Sequence, residues 1–481
     1  MLQTPLYPFQ REDVRRIEEL GGRVVVGNEV GLGKTLTALY WAWRFLPADP
    51  PGPIVAVVPA HLKRNWSREA ERHLQQHVEI LDGQTVPPGK RPPIDPNQIY
   101  AVNYDILVPP KWNARTRLPD DSWAGWLHAL KPRLIILDES HYAQAHDSKR
   151  TRALRKMIRG VPHVMALTGT PLKNNVMDLW PVLNMVRPDL FPSRFEFGLA
   201  WTGAVRKPWG WEFPGGRNLP ALNALLLDTC LIRRRKIDVV RDLPPLIRTV
   251  VEIPIDLVEY RKAENDFLAW LTALDGPAAL RASAAVGLQK TGHLRRLAGE
   301  LKVPGVIAWV RDFLESSGEK LLLGATHKRV TRPIVDAFRN VTVLVDGDLV
   351  AAEKVRRTDA FNDPLSGVRL CVGNTQSAGT GWNCTVTSDA CCIELPWTSA
   401  ELEQFWGRIY GLNRGLVGCP AHVRLLLADE TIEIDICKVL GRKQGYSDQA
   451  IDGGESTDTV ETLLEVANAM RLRRGTSGEK V

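Results

Sequence analysis

Short apolar runs recur along the chain, separated by stretches of helical periodicity. VVV after Arg23, IVAVVP at 54–59, IYAVNY at 99–104, LIILDE at 134–139 and VMALTGT at 164–170 are rich in branched residues and end in polar or small ones. Each reads as a buried strand. Strands alternating with helices predict an α/β fold, a parallel sheet with helices on both faces. A second series begins near 320: KLLLGA (320–325), VTVLVDG (341–347), VRLCVGN (368–374), DACCIEL (389–395) and HVRLLLA (422–428). Ligands of such sheets bind beyond the carboxyl ends of the strands. In the first series those ends carry Pro59, Asn103, Asp138, Glu139, Thr168 and Thr170.

At 481 residues the chain is too long for one core. The two series predict two lobes. The first covers 1–250 and opens with a short amphipathic helix that has Gln10 near its start. Its last part, 191–250, breaks the rhythm with aromatics, Gly and Pro, and reads as an inserted protrusion and hinge. The second lobe covers 251–445 and begins with helical patterns over 257–275 and 278–316. Residues 446–481 hold one helical pattern, 458–472, and a basic end expected to be mobile.

Composition narrows the class. The chain is 44% hydrophobic and 24% charged, ordinary for a globular protein. No apolar run reaches the roughly 18 residues of a transmembrane helix. The start, MLQTPLYPFQRED, lacks the basic and apolar regions of a signal peptide, so the chain is expected to stay in the cytoplasm. Seven cysteines occur without a C-x-x-C, so neither a structural zinc nor a disulfide framework is expected. A net charge of +7 fits a polyanionic partner without establishing one.

The chemistry is densest at RVVVGNEVGLGKTLTAL, 23–39. A strand, a turn with Gly31 and Gly33, and a helix from Lys34 place backbone N–H groups and a helix N-terminus around one point. That point favours a phosphate. Lys34 would reach the β and γ phosphates, and the Thr35 hydroxyl would ligate Mg²⁺. The pattern G-x-x-x-x-G-K-[ST] is met except at its first position, where Asn28 stands. Asp138 and Glu139 end a strand about a hundred residues later. Asp138 would hold Mg²⁺, and Glu139 would orient and deprotonate an attacking water. Thr168, Gly169 and Thr170 end the next strand and are placed to transmit the nucleotide state.

These motifs resemble those of superfamily-two helicases, and specifically the Swi/Snf family of double-stranded DNA translocases. LYPFQREDV resembles the adenine-reading glutamine motif, and GNEVGLGKT the phosphate loop, whose first Gly this family also lacks. VVPAHLKRNWSRE and VNYDIL resemble successive DNA-contact motifs. DESH and LTGTPLKN resemble the two motifs that follow. PWGWEFPGG and LIRRRKIDVVRDLPP resemble the family's inserted region and brace. GATHKRV, VDGD, SAGTGWN and QFWGRIYGLNRG resemble second-lobe motifs. DESH and PWGW place the resemblance nearest the annealing-helicase branch, over about residues 5–440.

The resemblance implies two tandem RecA-like lobes, with a helical insertion, around one Mg·ATP. Gln10, Asn28, Gly31, Leu32, Gly33, Lys34 and Thr35 would hold the nucleotide, and Asp138 and Thr35 the metal. An arginine finger would come from Q-x-x-x-R-x-x-R. Gln404 and Arg408 fit that pattern, but Gly411 stands at the second arginine, which leaves Arg408 and Arg414 both open. Duplex DNA would be gripped through its phosphates. Lys63, Arg64, Asn65, Trp66 and Asn103 would serve in the first lobe, Lys328 and Arg329 in the second. Backbone N–H groups at Gly379 and Gly381 also suit a phosphate, of DNA at Gly379 and of the nucleotide at Gly381. His141, Thr168, Gly169 and Thr170 would couple the two ligands. The RRRK run, Arg233 to Lys236, reads as a solvated face, or, next to a hinge, as a brace of the lobes or a DNA contact.

Two other readings stay open. One is a strand-separating helicase on DNA or RNA, for which the sequence identifies no wedge. The other is a nucleotide-switched DNA-binding protein with weak turnover. The chain begins almost at the glutamine motif and shows no accessory repeat or histone-reading module. The expectation is therefore a compact prokaryotic or phage motor, with its C-terminal tail open to an unidentified protein partner.

Overall fold

The computed structural model describes residues 4–46, 51–86, 95, 97–240, 244–272, 277–375, 384, 386–410 and 420–454, with the backbone alone over 267–272, 277–290 and 351–352. Both expected sheets are present, each wholly parallel and flanked by helices, the tandem RecA-like organisation. The first has seven strands: β1 (Arg23–Val26), β2 (Ile54–Val58), β3 (Val78–Ile80), β4 (Ile99–Asn103), β5 (Leu134–Asp138), β6 (His163–Leu167) and β9 (Leu231–Ile232). Their spatial order is β3-β4-β2-β5-β6-β1-β9. The antiparallel hairpin β7 (Val205–Lys207) and β8 (Gly210–Glu212) stands apart from it. The second sheet is built from β10 (Leu246–Glu252), β11 (Leu321–Ala325), β12 (Thr342–Val345), β13 (Leu370–Asn374), β14 (Asp389–Cys392) and β15 (Ala421–Leu427), in the order β10-β15-β14-β11-β13-β12.

Side chains on a strand point alternately to opposite faces. Val25, Val55, Val57, Ile135, Leu137 and Val164 enter one core of the first sheet, while Val24, Val26, Ala56, Val58, Ile136 and Met165 enter the other. The second sheet divides likewise: Leu322, Cys371, Cys392 and Val423 lie on one side, Leu321, Leu323, Val372 and Leu426 on the other. Burial on both faces is why these runs are continuously apolar.

The chain divides at Arg241/Asp242, and the stretch Gly445–Glu455 belongs again to the first unit. The expected boundary at 250 falls inside β10, which pairs with β15 from Leu246↔Ala421 to Glu252↔Leu427. β10 is an edge strand whose Arg and Glu residues hide it in a charged stretch. Residues after 445 are not a separate tail at their start, because Ala450 and Ile451 enter the first unit's core. The helical pattern at 458–472 lies outside the described residues. Among the described residues, no helix is long and apolar enough to cross a membrane.

Candidate active site

The carboxyl end of the first sheet gathers most of the expected residues. β1 runs into the glycine turn, where Gly31 (φ 88°) and Gly33 (φ 72°) take left-handed conformations. Gly33 caps the helix α2 (Lys34–Arg44). The left-handed backbone favours glycine at position 33, and a Cβ there would lie 2.5 Å from the Gln10 amide nitrogen and displace it. Gln10 is buried in α1 (Pro8–Glu19); its Nε2 donates to the Leu32 carbonyl at 3.2 Å, and its Oε1 accepts from Tyr7 N–H at 3.0 Å. Leu32 is fully buried, and Thr35 is half-buried at the second position of α2.

Lys34 Nζ donates to the carbonyls of Asn28 (2.9 Å) and Glu29 (3.1 Å), so it lies along the loop. Enclosure holds its ammonium below the usual lysine range, with Glu139 and Asp138 acting in the opposite sense. Gly169 packs against the loop: a Cβ there would meet Val30 Cγ2 at 2.5 Å and Lys34 Nζ at 3.5 Å. Thr168 Oγ1 accepts from Thr170 N–H at 3.1 Å, which shapes the turn. The buried Oγ1 of Thr170 and Oδ1 of Asn28 make no hydrogen bond among the described residues.

Asp138 ends β5. Its Oδ2 accepts from Trp66 Nε1 at 2.7 Å and its Oδ1 from Glu139 N–H at 3.0 Å. Burial, and then the neighbouring Glu139 charge, push its carboxyl up to about 6 against the pull of Trp66 and Lys34. Glu139 sits at φ 50°, a strained position for a side chain this size. Its Oε2 is 3.2 Å from His141 Nδ1. Tyr104 O–H donates to the Asp138 carbonyl at 2.8 Å and fixes the strand end.

Three of the expected nucleic-acid contacts are structural instead. Trp66 is 1% exposed in the helix α3 (Lys63–Leu74), and its indole holds Asp138. It is therefore no stacking platform for bases. Lys63 is buried, donating to Leu81 O at 3.0 Å and Asn103 Oδ1 at 3.1 Å and pairing with Asp82. Asn103 is buried with it. An ammonium tied on three sides has no donor free to reach a phosphate. Arg64 is exposed and Asn65 half-buried on the same helix.

The RRRK run is half-buried and engaged rather than a free solvated face. Arg233 donates to Gly27 O at 2.6 Å and Gly169 O at 3.3 Å, and pairs with Asp452 at 2.6 Å. Arg234 pairs with Asp13 at 3.0 Å and Glu12 at 3.2 Å, and Arg235 with Asp238 at 2.9 Å. Asp13 also accepts from Asn28 Nδ2 at 2.6 Å. Asn28, in the place of the usual first glycine, thus ties the phosphate loop to α1. Asp13 went unnoticed in the sequence. Its signal was a carboxylate three residues after Gln10, on the helix face that also carries Val14 and Ile17.

In the second unit, Lys328 begins the helix Lys328–Ala337, is about half exposed and pairs with Asp348, and Arg329 lies 3.8 Å from Glu300. The fully buried Glu394 accepts from Thr326 N–H (2.7 Å) and His327 N–H (2.9 Å), and pairs with His327 Nδ1 at 2.6 Å. Arg408 is half-buried just after the helix Ser399–Trp406, and its carbonyl accepts from Cys384 N–H at 3.0 Å. Gly379, Gly381, Gly411 and Arg414 lie outside the described residues.

The family model for the SNF2-related domain matches residues 18–263. The SWI/SNF-related matrix-associated actin-dependent regulator of chromatin subfamily A-like protein 1 of Bos taurus is 28% identical over 422 residues, 86% of this chain and 42% of that protein. The DNA annealing helicase and endonuclease ZRANB3 of Mus musculus is 24% identical over 468 residues, 94% of this chain and 41% of that protein. The chain thus spans about two fifths of the length of these curated relatives. A solved Sulfolobus solfataricus SWI2/SNF2 ATPase core in complex with dsDNA aligns over 94% of each chain, with 18% identity and a TM-score of 0.43.

Proposed function

The chain belongs to the SNF2-related family, and from that membership we propose that it is a DNA-dependent ATPase that translocates on double-stranded DNA. The observation that carries this reading is the meeting of Lys34, the Thr168–Thr170 turn and the carboxylates of β5 at one sheet edge. The loop suits a nucleotide's phosphates: Gly31 and Gly33 open the backbone, and the N-terminus of α2 carries partial positive charge. Lys34 would exchange its loop carbonyls for the β and γ phosphates, and Gln10 would meet the base. Thr35 and Asp138 would hold Mg²⁺, a hard ion that suits hydroxyl and carboxylate oxygens. Bound there, the ion would neutralise phosphate charge.

Glu139 would accept the proton of the attacking water, and His141, 3.2 Å away, would position it. Gly169 abuts Lys34 and shares Arg233 with Gly27, so a change at the phosphates would be felt in the Thr168–Thr170 turn. Arg408 would supply transition-state charge, with Arg414 the other arginine available. Contacts with DNA would run through phosphates, from Arg64, Asn65, Lys328 and Arg329, since a motor on any sequence cannot depend on bases. Phosphate release would be measured with and without duplex DNA. DNA should stimulate turnover, Lys34→Ala should abolish it, and Glu139→Gln should bind ATP without hydrolysing it. Equal hydrolysis with and without DNA would remove the motor reading.

A further inference from the structure

The reading above leaves residues 194–214 unused, and they carry an aromatic hairpin. β7 and β8 pair in the register Val205↔Glu212, Arg206↔Trp211 and Lys207↔Gly210, so Pro208 and Trp209 form a two-residue loop. Proline fixes its own φ, and Gly210 (φ 137°) occupies a conformation that suits glycine, which makes a stiff tip. Trp209 is 73% exposed there, and its Nε1 donates to Glu212 Oε1 at 3.3 Å, which orients the ring. Trp211 and Phe195, each 44% exposed, add a second aromatic surface with ring centroids 5.6 Å apart.

The base of the hairpin is clamped. The Phe213 ring fills the notch left by Gly198, where a Cβ would come within 2.4 Å of it. Asn175 Nδ2 donates to Phe213 O at 3.2 Å, and Gly203 N–H to Pro214 O at 2.9 Å. Asn175 lies in the loop that leaves the Thr168–Thr170 turn, so the hairpin is tied to the segment that follows that turn.

Large rings held in water on a stiff support mark a binding element. The charge beside them selects its ligand. Arg206 and Lys207 flank the tip, Arg194 lies 5.9 Å from the Phe213 ring, and the hairpin's one carboxylate, Glu212, is engaged by Trp209. Rings with cations beside them match a nucleobase between phosphates. A base inside a duplex shows only its edges. Both of its faces become free for a ring only where the base is unpaired, at a branch or an overhanging end. We propose that hairpin 205–212 is a base-stacking pin on which Trp209 holds a base left unpaired at a branch or end of duplex DNA. The pin rests on the DNA-dependent reading and supplies the wedge absent from the sequence pattern.

The test compares affinity for a blunt duplex and for a Y-branched DNA of equal length at one salt concentration, with 2-aminopurine as the first unpaired base. Wild type should prefer the branched DNA and quench the probe. Trp209→Ala should weaken branched binding roughly 5- to 150-fold, the range of one base stacked on one ring, and bring the two affinities together. Trp209→Phe should recover part of both signals. Residue 209 is exposed, so circular dichroism melting should be unmoved by either change. Equal losses on both DNAs, no loss on either, or a dimer that Trp209→Ala dissolves would each overturn the pin. Wild type that binds neither DNA would instead sink the DNA-dependent reading. Wild type that binds both equally, unaffected by Trp209→Ala, would remove the pin alone.

Discussion

Replacing Asn28 by glycine restores the usual phosphate-loop pattern, and the structure predicts that it weakens the fold. Asn28 Nδ2 donates to Asp13 Oδ2 at 2.6 Å, and Asp13 is fully buried. Loss of that donor leaves the carboxylate with Arg234 as its remaining side-chain partner. A hydrogen bond to a charged group contributes about 1.5–3 kcal/mol. The extra freedom of glycine in the unfolded chain costs about 0.5–1 kcal/mol more. The expected loss is therefore about 2–4 kcal/mol, large beside a total stability of roughly 5–15 kcal/mol. Burial already holds the Asp13 carboxyl above its ordinary value, while Arg234 and Asn28 pull it down. Without Asn28 it rises further. Ionised Asp13 is then disfavoured in the folded chain relative to the unfolded one. That penalty is complete above the folded pKa and fades as pH falls through it towards the unfolded value. Urea unfolding by circular dichroism at neutral and at mildly acidic pH checks both claims: the loss should be largest at neutral pH and shrink in acid. A double-mutant cycle with Asp13→Ala isolates the pair. A coupling below about 0.5 kcal/mol, or a loss that grows in acid, would refute the tether.

Gly33→Ala should cut ATP affinity at least about tenfold, because it forces a Cβ into the Gln10 amide at a left-handed position; a fluorescent-nucleotide titration measures it. Trp66→Phe should lower stability by about 1.5–3 kcal/mol through the lost bond to Asp138 while leaving the salt dependence of DNA binding unchanged. A weaker hold on DNA at unaltered stability would return Trp66 to the role of base platform. In the second unit, Lys302 and Glu433 form a fully buried pair at 2.7 Å. Lys302→Met should cost about 3–5 kcal/mol, and Lys302→Met/Glu433→Leu much less, since the double change leaves no uncompensated charge; thermal unfolding ranks the two variants.

What could be read in the sequence was whatever depends on near neighbours along the chain. A strand buried on both faces is apolar throughout, so β1, β2, β4, β5, β6 and most of the second sheet were visible as runs. A glycine turn before Gly-Lys-Thr constrains its own backbone, so the phosphate loop was visible too, as were the paired carboxylates at the end of β5. The elements that went unseen obtain their stability from distant partners. β9 is two residues long and exists because it pairs with β1, and β10 because it pairs with β15. The hairpin 205–212 is exposed along both strands and has no apolar face to announce it.

The same division separates the site residues. Lys34, Asp138 and Gly169 come close together because motif spacing fixes their place after β1, at the end of β5 and after β6. Lys63, Trp66 and Asn103 have the residue types of a nucleic-acid surface, but in the fold Lys63 pairs with Asp82 and Asn103 and Trp66 holds Asp138. Arg233 and Arg234 look like a solvated basic run until Asp452 and Asp13, more than two hundred residues away, arrive beside them. Sequence alone determined where a glycine turn meets a helix N-terminus. Only the folded chain decided which cations were already spent on neighbouring carboxylates and carbonyls, because that depends on which charges long-range packing brings within hydrogen-bonding distance.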